Sequence, residues 1–286
     1  MLHAGDTVAL VCCSNGQREE FREQNRQLTK VLQSFGLLVW ESPYLYAEKT
    51  VFPADAKTRA EILMDCYRNP SIRAIFDISG GDIANEILDF LDFSVIADHP
   101  KPLFGYSDLT CLLHAVHAKT GQKVFLYQVK NLVYEDAERQ QKWFTHTFLE
   151  NGRDLFETDY RFLQGDRISG VVLGGNARCL LKLAGTPYWP DFTGKILFLE
   201  ALGGGVAQMT DYLSHYRQLG VFDEVRGVLL GTFTNLEKSG ETPRMEELIL
   251  RFVGKTMPVA KTQQIGHGSD SRCLCIGGQI HLDRDK

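Results

Sequence analysis

Four short segments of this 286-residue chain carry groups that can do chemistry. Ser107 stands in Gly105-Tyr106-Ser107-Asp108, between a segment that reads as a strand and one that reads as a helix. A serine at such a junction can hold its hydroxyl clear of the backbone, close to the amide dipoles of a helix start. The position suits an ordinary helix N-cap as well, and Leu109 replaces the second glycine of G-x-S-x-G. Glu200 ends the apolar run Ile196-Leu197-Phe198-Leu199, where a carboxylate can orient a histidine and stabilise its imidazolium, or simply mark where a strand meets solvent. His267 lies between Gly266 and Gly268, a loop setting open to a general base and equally to an ordinary loop residue. Gly80-Gly81 closes another apolar run. Paired glycines let a backbone approach a ligand and offer N–H groups to an oxyanion, or make a tight turn. The order Ser, Glu, His is that of α/β-hydrolase triads, although a long chain also offers such a trio by chance.

Other clusters carry less. Cys111, His114 and His117 have a spacing that drifts around a helix and lacks a fourth donor, so core packing is the expectation and no metal is assigned. Gly174-Gly175-Asn176 and Gly203-Gly204-Gly205 match neither G-x-G-x-x-G nor the P-loop with its lysine, which leaves no organic cofactor. Seven cysteines, an odd number lying mostly in apolar runs, read as buried reduced thiols.

The elements that must position these residues follow from periodicity. Val8 to Cys13, Leu37 to Trp40, Ile72 to Ile78 and Pro102 to Phe104 are short apolar runs of strand type. Between them Arg18 to Phe35, Ala54 to Tyr67 and Asn85 to Leu91 show helical spacing, and Leu109 to Lys119 follows the last strand as another helix. Such alternation predicts a parallel sheet with helices on both faces, with ligands beyond the carboxyl ends of its strands. The turns at Ser14, Gly80-Gly81 and Ser107 all fall at that edge. The pattern then changes, giving an N-terminal α/β domain over 1–135, a connector over 136–165 and a second domain over 166–286.

The remaining composition excludes more than it names. A net charge of -5 argues against a nucleic-acid polymer as partner. No run has the roughly 18–20 apolar residues of a membrane span, and no export signal opens the chain, so a cytoplasmic protein is expected.

Together the motifs carry a resemblance. Pro102-Leu103-Phe104-Gly105-Tyr106-Ser107-Asp108-Leu109-Thr110 resembles the nucleophile segment of the LD-carboxypeptidase family of serine peptidases, which includes murein tetrapeptide carboxypeptidases and microcin C self-immunity peptidases. Gly174-Gly175-Asn176, the block from Gly185 to Glu200, and Gly266-His267-Gly268 are similar to the same family. The resemblance implies a Rossmann-like parallel-sheet N-terminal domain, a β-rich, barrel-like C-terminal domain and a homodimer without cofactor or metal. It implies Ser107 as nucleophile, His267 as general base and Glu200 as the residue orienting it. Backbone N–H groups of Gly80, Gly81 and Asp108 would form the oxyanion hole, and the substrate would be a small peptide or peptidyl-nucleotide, on whose base Trp143 and Trp189 could stack. The alternative is a catalytically impaired small-molecule or peptide-binding protein of the same fold. Where relatives often carry an arginine before the glycine pair and an aromatic after it, this chain has Ser79 and Asp82. Asp82 is expected to repel an anionic substrate.

Overall fold

The structure is a computed structural model that describes residues 2–47 and 49–284. Strands β1 (Thr7–Val11), β2 (Leu38–Glu41), β3 (Ile72–Asp77), β4 (Leu103–Gly105) and β5 (Val124–Leu126) form a parallel sheet in the order β5-β4-β3-β1-β2. The crossovers use α1 (Arg22–Ser34), α2 (Ala56–Arg68), α3 (Phe93–Asp98) and α4 (Thr110–Thr120). Burial of both faces explains why β1 is apolar from Val8 onward. Ala9, Val11 and Cys13 face one core, while Val8, Leu10 and Cys12 face the other. The vicinal cysteines therefore point to opposite faces, and all seven cysteines are free, six of them buried.

Local signals set the helix ends. Asp55 caps α2 by accepting the Thr58 N–H at 2.8 Å, and Gly121, with φ of 71°, closes α4 in the left-handed region. The segment expected as a helix from Asn85 winds instead as a 3₁₀ stretch over Ala84–Phe90. Asp92 caps α3 directly afterwards, accepting from the Ser94 and Val95 N–H groups, and so ends the stretch.

After α5 (Ala137–Phe148) comes a second sheet. Its strands are β6 (Arg161–Gln164), β7 (Arg167–Asn176), β8 (Ile196–Ala201), β9 (Gly227–Phe233) and β10 (Val259–Lys261), with α6 (Ala177–Leu181) and α7 (Val206–Gln218) packed between them. The central β7-β8-β9-β10 run is parallel, and β6 joins β10 antiparallel. β11 (Leu274–Ile276) returns to the first sheet, antiparallel to β5, whereas β12 (Gln279–Asp283) borders β7. The last segment thus ties the two sheets together. No described helix is long and apolar enough to cross a membrane.

α4 joins the halves. Every residue from Thr110 to Val116 is buried, and Leu112, Leu113 and Val116 share one continuous core with Val172, Leu173 and Phe198 of the second sheet. Polar groups on this helix are spent on structure. Cys111 Sγ donates to Asp108 O, and His117 Nδ1 lies 2.9 Å from Gln122 O. His114 is fully buried, with Nδ1 2.8 Å from Thr110 O and Nε2 2.9 Å from the Gly174 N–H of β7. A carbonyl can only accept and a backbone N–H only donate, so this ring is neutral with its proton on Nδ1.

Burial pushes the His114 pKa from its ordinary 6.5 down to about 4. The unfolded chain takes up this proton as pH falls below 6.5, while the folded chain stays neutral until about 4. His114 therefore removes stability progressively between those values, by about 3 kcal/mol in all, and no further below them. Urea denaturation from pH 7 to pH 4 should show that step in the native protein, and His114→Gln, which keeps one donor and one acceptor, should lack it.

Candidate active site

Ser107 adopts φ of 56°, one of two non-glycine residues with positive φ in the described chain. A side chain in that region is strained by roughly 1–3 kcal/mol and persists only where its surroundings impose it. Here β4 ends at Gly105, Ser107–Leu109 makes one 3₁₀ turn, and α4 starts at Thr110. Leu109 occupies the N-cap position of α4 and no side chain caps it, so the capping role open to Ser107 in the sequence is not realised. A strained strand-to-helix turn of this kind presents its central hydroxyl outward.

The residue after it holds the turn. Asp108 is fully buried, and its Oδ2 accepts from Ser14 Oγ at 2.6 Å and from the Ala84 N–H at 2.9 Å. Its Oδ1 is ion-paired with Lys182, just beyond α6. One carboxylate thus binds the turn after β1, the segment after the glycine pair and the second half of the molecule. The glycine pair is fixed as well. Asp77, whose pKa burial raises, accepts from the N–H groups of Cys13 and Ser79, both at 2.8 Å. Ser79 Oγ accepts the Ser14 N–H, and Asn15 N–H donates to Gly80 O. Gly81, with φ of 117°, has no room for a side chain, because a Cβ would stand 2.3 Å from Asn15 Cγ. Asp82, expected to repel an anionic substrate, is ion-paired with Arg178 of α6, whose guanidinium also donates to Gly81 O. That pairing compensates its charge.

Glu200, on β8, is fully buried, and its Oε2 lies 2.7 Å from His267 Nδ1. Asn176 Nδ2 donates to the other oxygen at 3.2 Å. With Nδ1–H directed at the carboxylate, His267 Nε2 is the basic nitrogen, and it is buried without a partner. The Tyr106 ring meets the imidazole edge-on at 5.0 Å between centroids. The histidine loop is clamped from α5, where Gln140 Nε2 donates to Ser269 O and Ser271 O at 3.0 and 2.8 Å. Gly266 is required there, since a Cβ would fall 1.6 Å from Thr232 Oγ1.

Ser107, His267 and Gly80 line one cavity of about 280 Å³, together with Tyr106, Lys130, Asn131, Tyr134 and Leu202. Gly81 and Asp108, each next to a lining residue in the chain, are not themselves in its lining. Gly80 faces Asn15 in an antiparallel bridge, whereas the Asp108 N–H meets no backbone acceptor among the described residues. Neither tryptophan suggested for base stacking is here. Trp143 lies under Arg272, and Trp189 packs on Phe192. Half-buried Tyr134 is a second aromatic of the cavity beside Tyr106, and no sequence spacing distinguishes it.

The N-terminal domain model of the LD-carboxypeptidases matches residues 8–127, and the C-terminal domain model matches residues 169–282. The chain belongs to the LD-carboxypeptidase family. It is accordingly a hydrolase of a serine-peptidase family. It is 28% identical to the microcin C7 self-immunity protein MccF of Escherichia coli over 262 residues, covering 80% of this chain and 76% of that one. It is 26% identical to the murein tetrapeptide carboxypeptidase of Pseudomonas aeruginosa over 259 residues, 86% of this chain and 82% of the relative. The fold matches MccF in complex with glutamyl sulfamoyl guanosine at a TM-score of 0.89, with 22% identity and coverage of 99% and 95%. It matches the muramoyltetrapeptide carboxypeptidase from Oxalobacter formigenes at 0.79, with 23% identity and coverage of 97% and 94%.

Lys182→Met leaves the Asp108 carboxylate buried without its cation. Loss of one partner of such a pair costs about 3–5 kcal/mol, so the variant should denature at clearly lower urea concentration than the native protein. Lys182→Arg, which keeps the charge, should recover most of the difference.

Proposed function

We propose that this LD-carboxypeptidase family member hydrolyses an amide bond near the C-terminus of a small peptide, through Ser107, His267 and Glu200. The observation that carries the reading is the buried Glu200–His267 pair, which leaves Nε2 unpartnered in a residue lining the same cavity as the strained Ser107 turn.

His267 Nε2 takes the hydroxyl proton as Ser107 Oγ attacks the scissile carbonyl. Glu200 keeps the other ring proton in place and stabilises the imidazolium that results. The carbonyl oxygen becomes an oxyanion held by the N–H groups of Gly80 and Asp108, with Gly81 completing the turn. One such donor is commonly worth about 10²–10³ in rate. Collapse of the intermediate breaks the C–N bond, and the imidazolium returns its proton to the departing amine. Water then attacks the Ser107 ester with His267 again as base, releasing the acid and restoring the hydroxyl. Strain at Ser107 and the network around Asp108 hold these groups in place before substrate arrives, so little is lost to reorganisation.

The placement of Trp143 and Trp189 away from the cavity favours a peptide of murein type over a peptidyl-nucleotide. The homodimer and the cytoplasmic location belong to the same proposal, the first supported by the family resemblance and the second by the sequence reading alone.

A serine-reactive phosphonate should form an adduct on Ser107, and Ser107→Ala should lose turnover while keeping its melting transition. A folded protein that forms no adduct would remove the serine mechanism and leave a binding protein of this fold. Glu200→Gln should lower kcat by about 10²–10⁴, because the ring is no longer held in the reactive tautomer. A hydrolysis panel of a murein tetrapeptide and a peptidyl-nucleotide should show cleavage of the former.

A further inference from the structure

The cavity beside Ser107 holds two donors that the proposed chemistry leaves unused. Lys130 and Asn131 are consecutive residues of the 3₁₀ turn Val129–Val133 that follows β5, and both line the cavity. Lys130 is only 6% exposed and Asn131 only 3%. One ammonium proton of Lys130 goes to Gln17 Oε1 at 2.7 Å, and the rings of Phe21 and Tyr134 lie 5.0 and 5.8 Å from Nζ. No carboxylate among the described residues lies within 4.0 Å of it. Asn131 Nδ2 is buried with no acceptor at all.

This is not how the molecule treats its other buried cations. Arg59 is paired with Glu86, Lys182 with Asp108 and Lys261 with Glu237, while Lys101 caps α2 through the carbonyls of Cys66 and Asn69. Buried lysines are rarely left without an acid, and burial holds Lys130 down at about 8. A cationic donor that meets only a neutral acceptor, beside an amide that meets none, suits a group that only accepts and has two oxygens. A carboxylate is such a group.

We propose that Lys130 and Asn131 form the subsite for the free carboxylate of the substrate's terminal residue. The inference rests on the peptidase reading of the same cavity and names what makes that peptidase a carboxypeptidase. The ammonium supplies charge, the amide supplies direction, and Gln17 keeps the lysine stem from folding away. A substrate whose terminus is blocked leaves both donors unpaired again, which is the stronger source of discrimination.

The test is calorimetric binding to Ser107→Ala protein of a murein tetrapeptide and of the same peptide with a C-terminal carboxamide. The acid should bind at least about ten-fold tighter. Adding Lys130→Gln, which preserves a partner for Gln17 and hence the fold, should abolish that preference, and adding Asn131→Leu should reduce it. Melting transitions of the variants establish that they are folded. Equal affinity for acid and carboxamide, or a preference that survives both substitutions, overturns the subsite. Failure of the peptidase reading is distinguishable. Wild-type protein that prefers the acid but forms no phosphonate adduct on Ser107 would lose the serine chemistry and retain the subsite.

Discussion

The backbone at Ser107 is held in the left-handed region because the chain has nowhere else to go. β4 is locked in a sheet buried on both faces, and α4 is buried from Thr110 to Val116 between the two halves of the molecule. Joining them leaves one short turn, and Asp108 fastens that turn to three separate segments at once. Relaxing Ser107 would mean moving α4 and breaking a hydrophobic core shared by both sheets. The strain is therefore imposed by packing of far greater total energy, which is how a locally unfavourable residue persists. The same packing seats the carboxyl ends of β3, β4 and β8 around one cavity.

Electrostatics at the site follows from burial. Glu200 is out of water, so its charge is tolerable only because Asn176 and His267 satisfy both oxygens. Asp77 and Asp108 survive in the same way, each holding backbone N–H groups that shape the neighbouring turns. Arg178 and Lys182 reach back from α6 to the glycine pair and to Asp108. The second half of the molecule thus contributes both the base and part of the frame that fixes the first half's turn. Against this background of satisfied charges, Lys130 without a carboxylate and Asn131 without an acceptor stand out.

Much of the architecture was legible in the chain. Apolar runs of strand length, alternating with helical periodicity, located β1, β3, β4, α2 and α4 to within a few residues, because local pattern dictates burial on two faces. Ser107, Glu200 and His267 were legible as candidates, since each stands at the end of a run or between glycines. Lys130, Asn131 and Gln140 were not. Their segments carry no spacing that separates a site residue from an ordinary one, and their roles come from partners at distances in sequence that no local pattern reports. The placement of Trp143 and Trp189 outside the cavity was hidden for the same reason, and so was the pairing of Asp82 with Arg178, 96 residues away.

What the sequence determined by itself was the set of elements and the identity of the reactive groups, because helix and strand formation and side-chain chemistry are local properties. Tertiary structure decided which of those groups meet and in what state. Only packing could bring Glu200 against Nδ1 and leave Nε2 free, force Ser107 to positive φ, and bury beside it a lysine without an acid and an asparagine amide without an acceptor. Those properties depend on desolvation and on contacts between segments far apart in the chain, and neither exists until the two sheets have closed on α4.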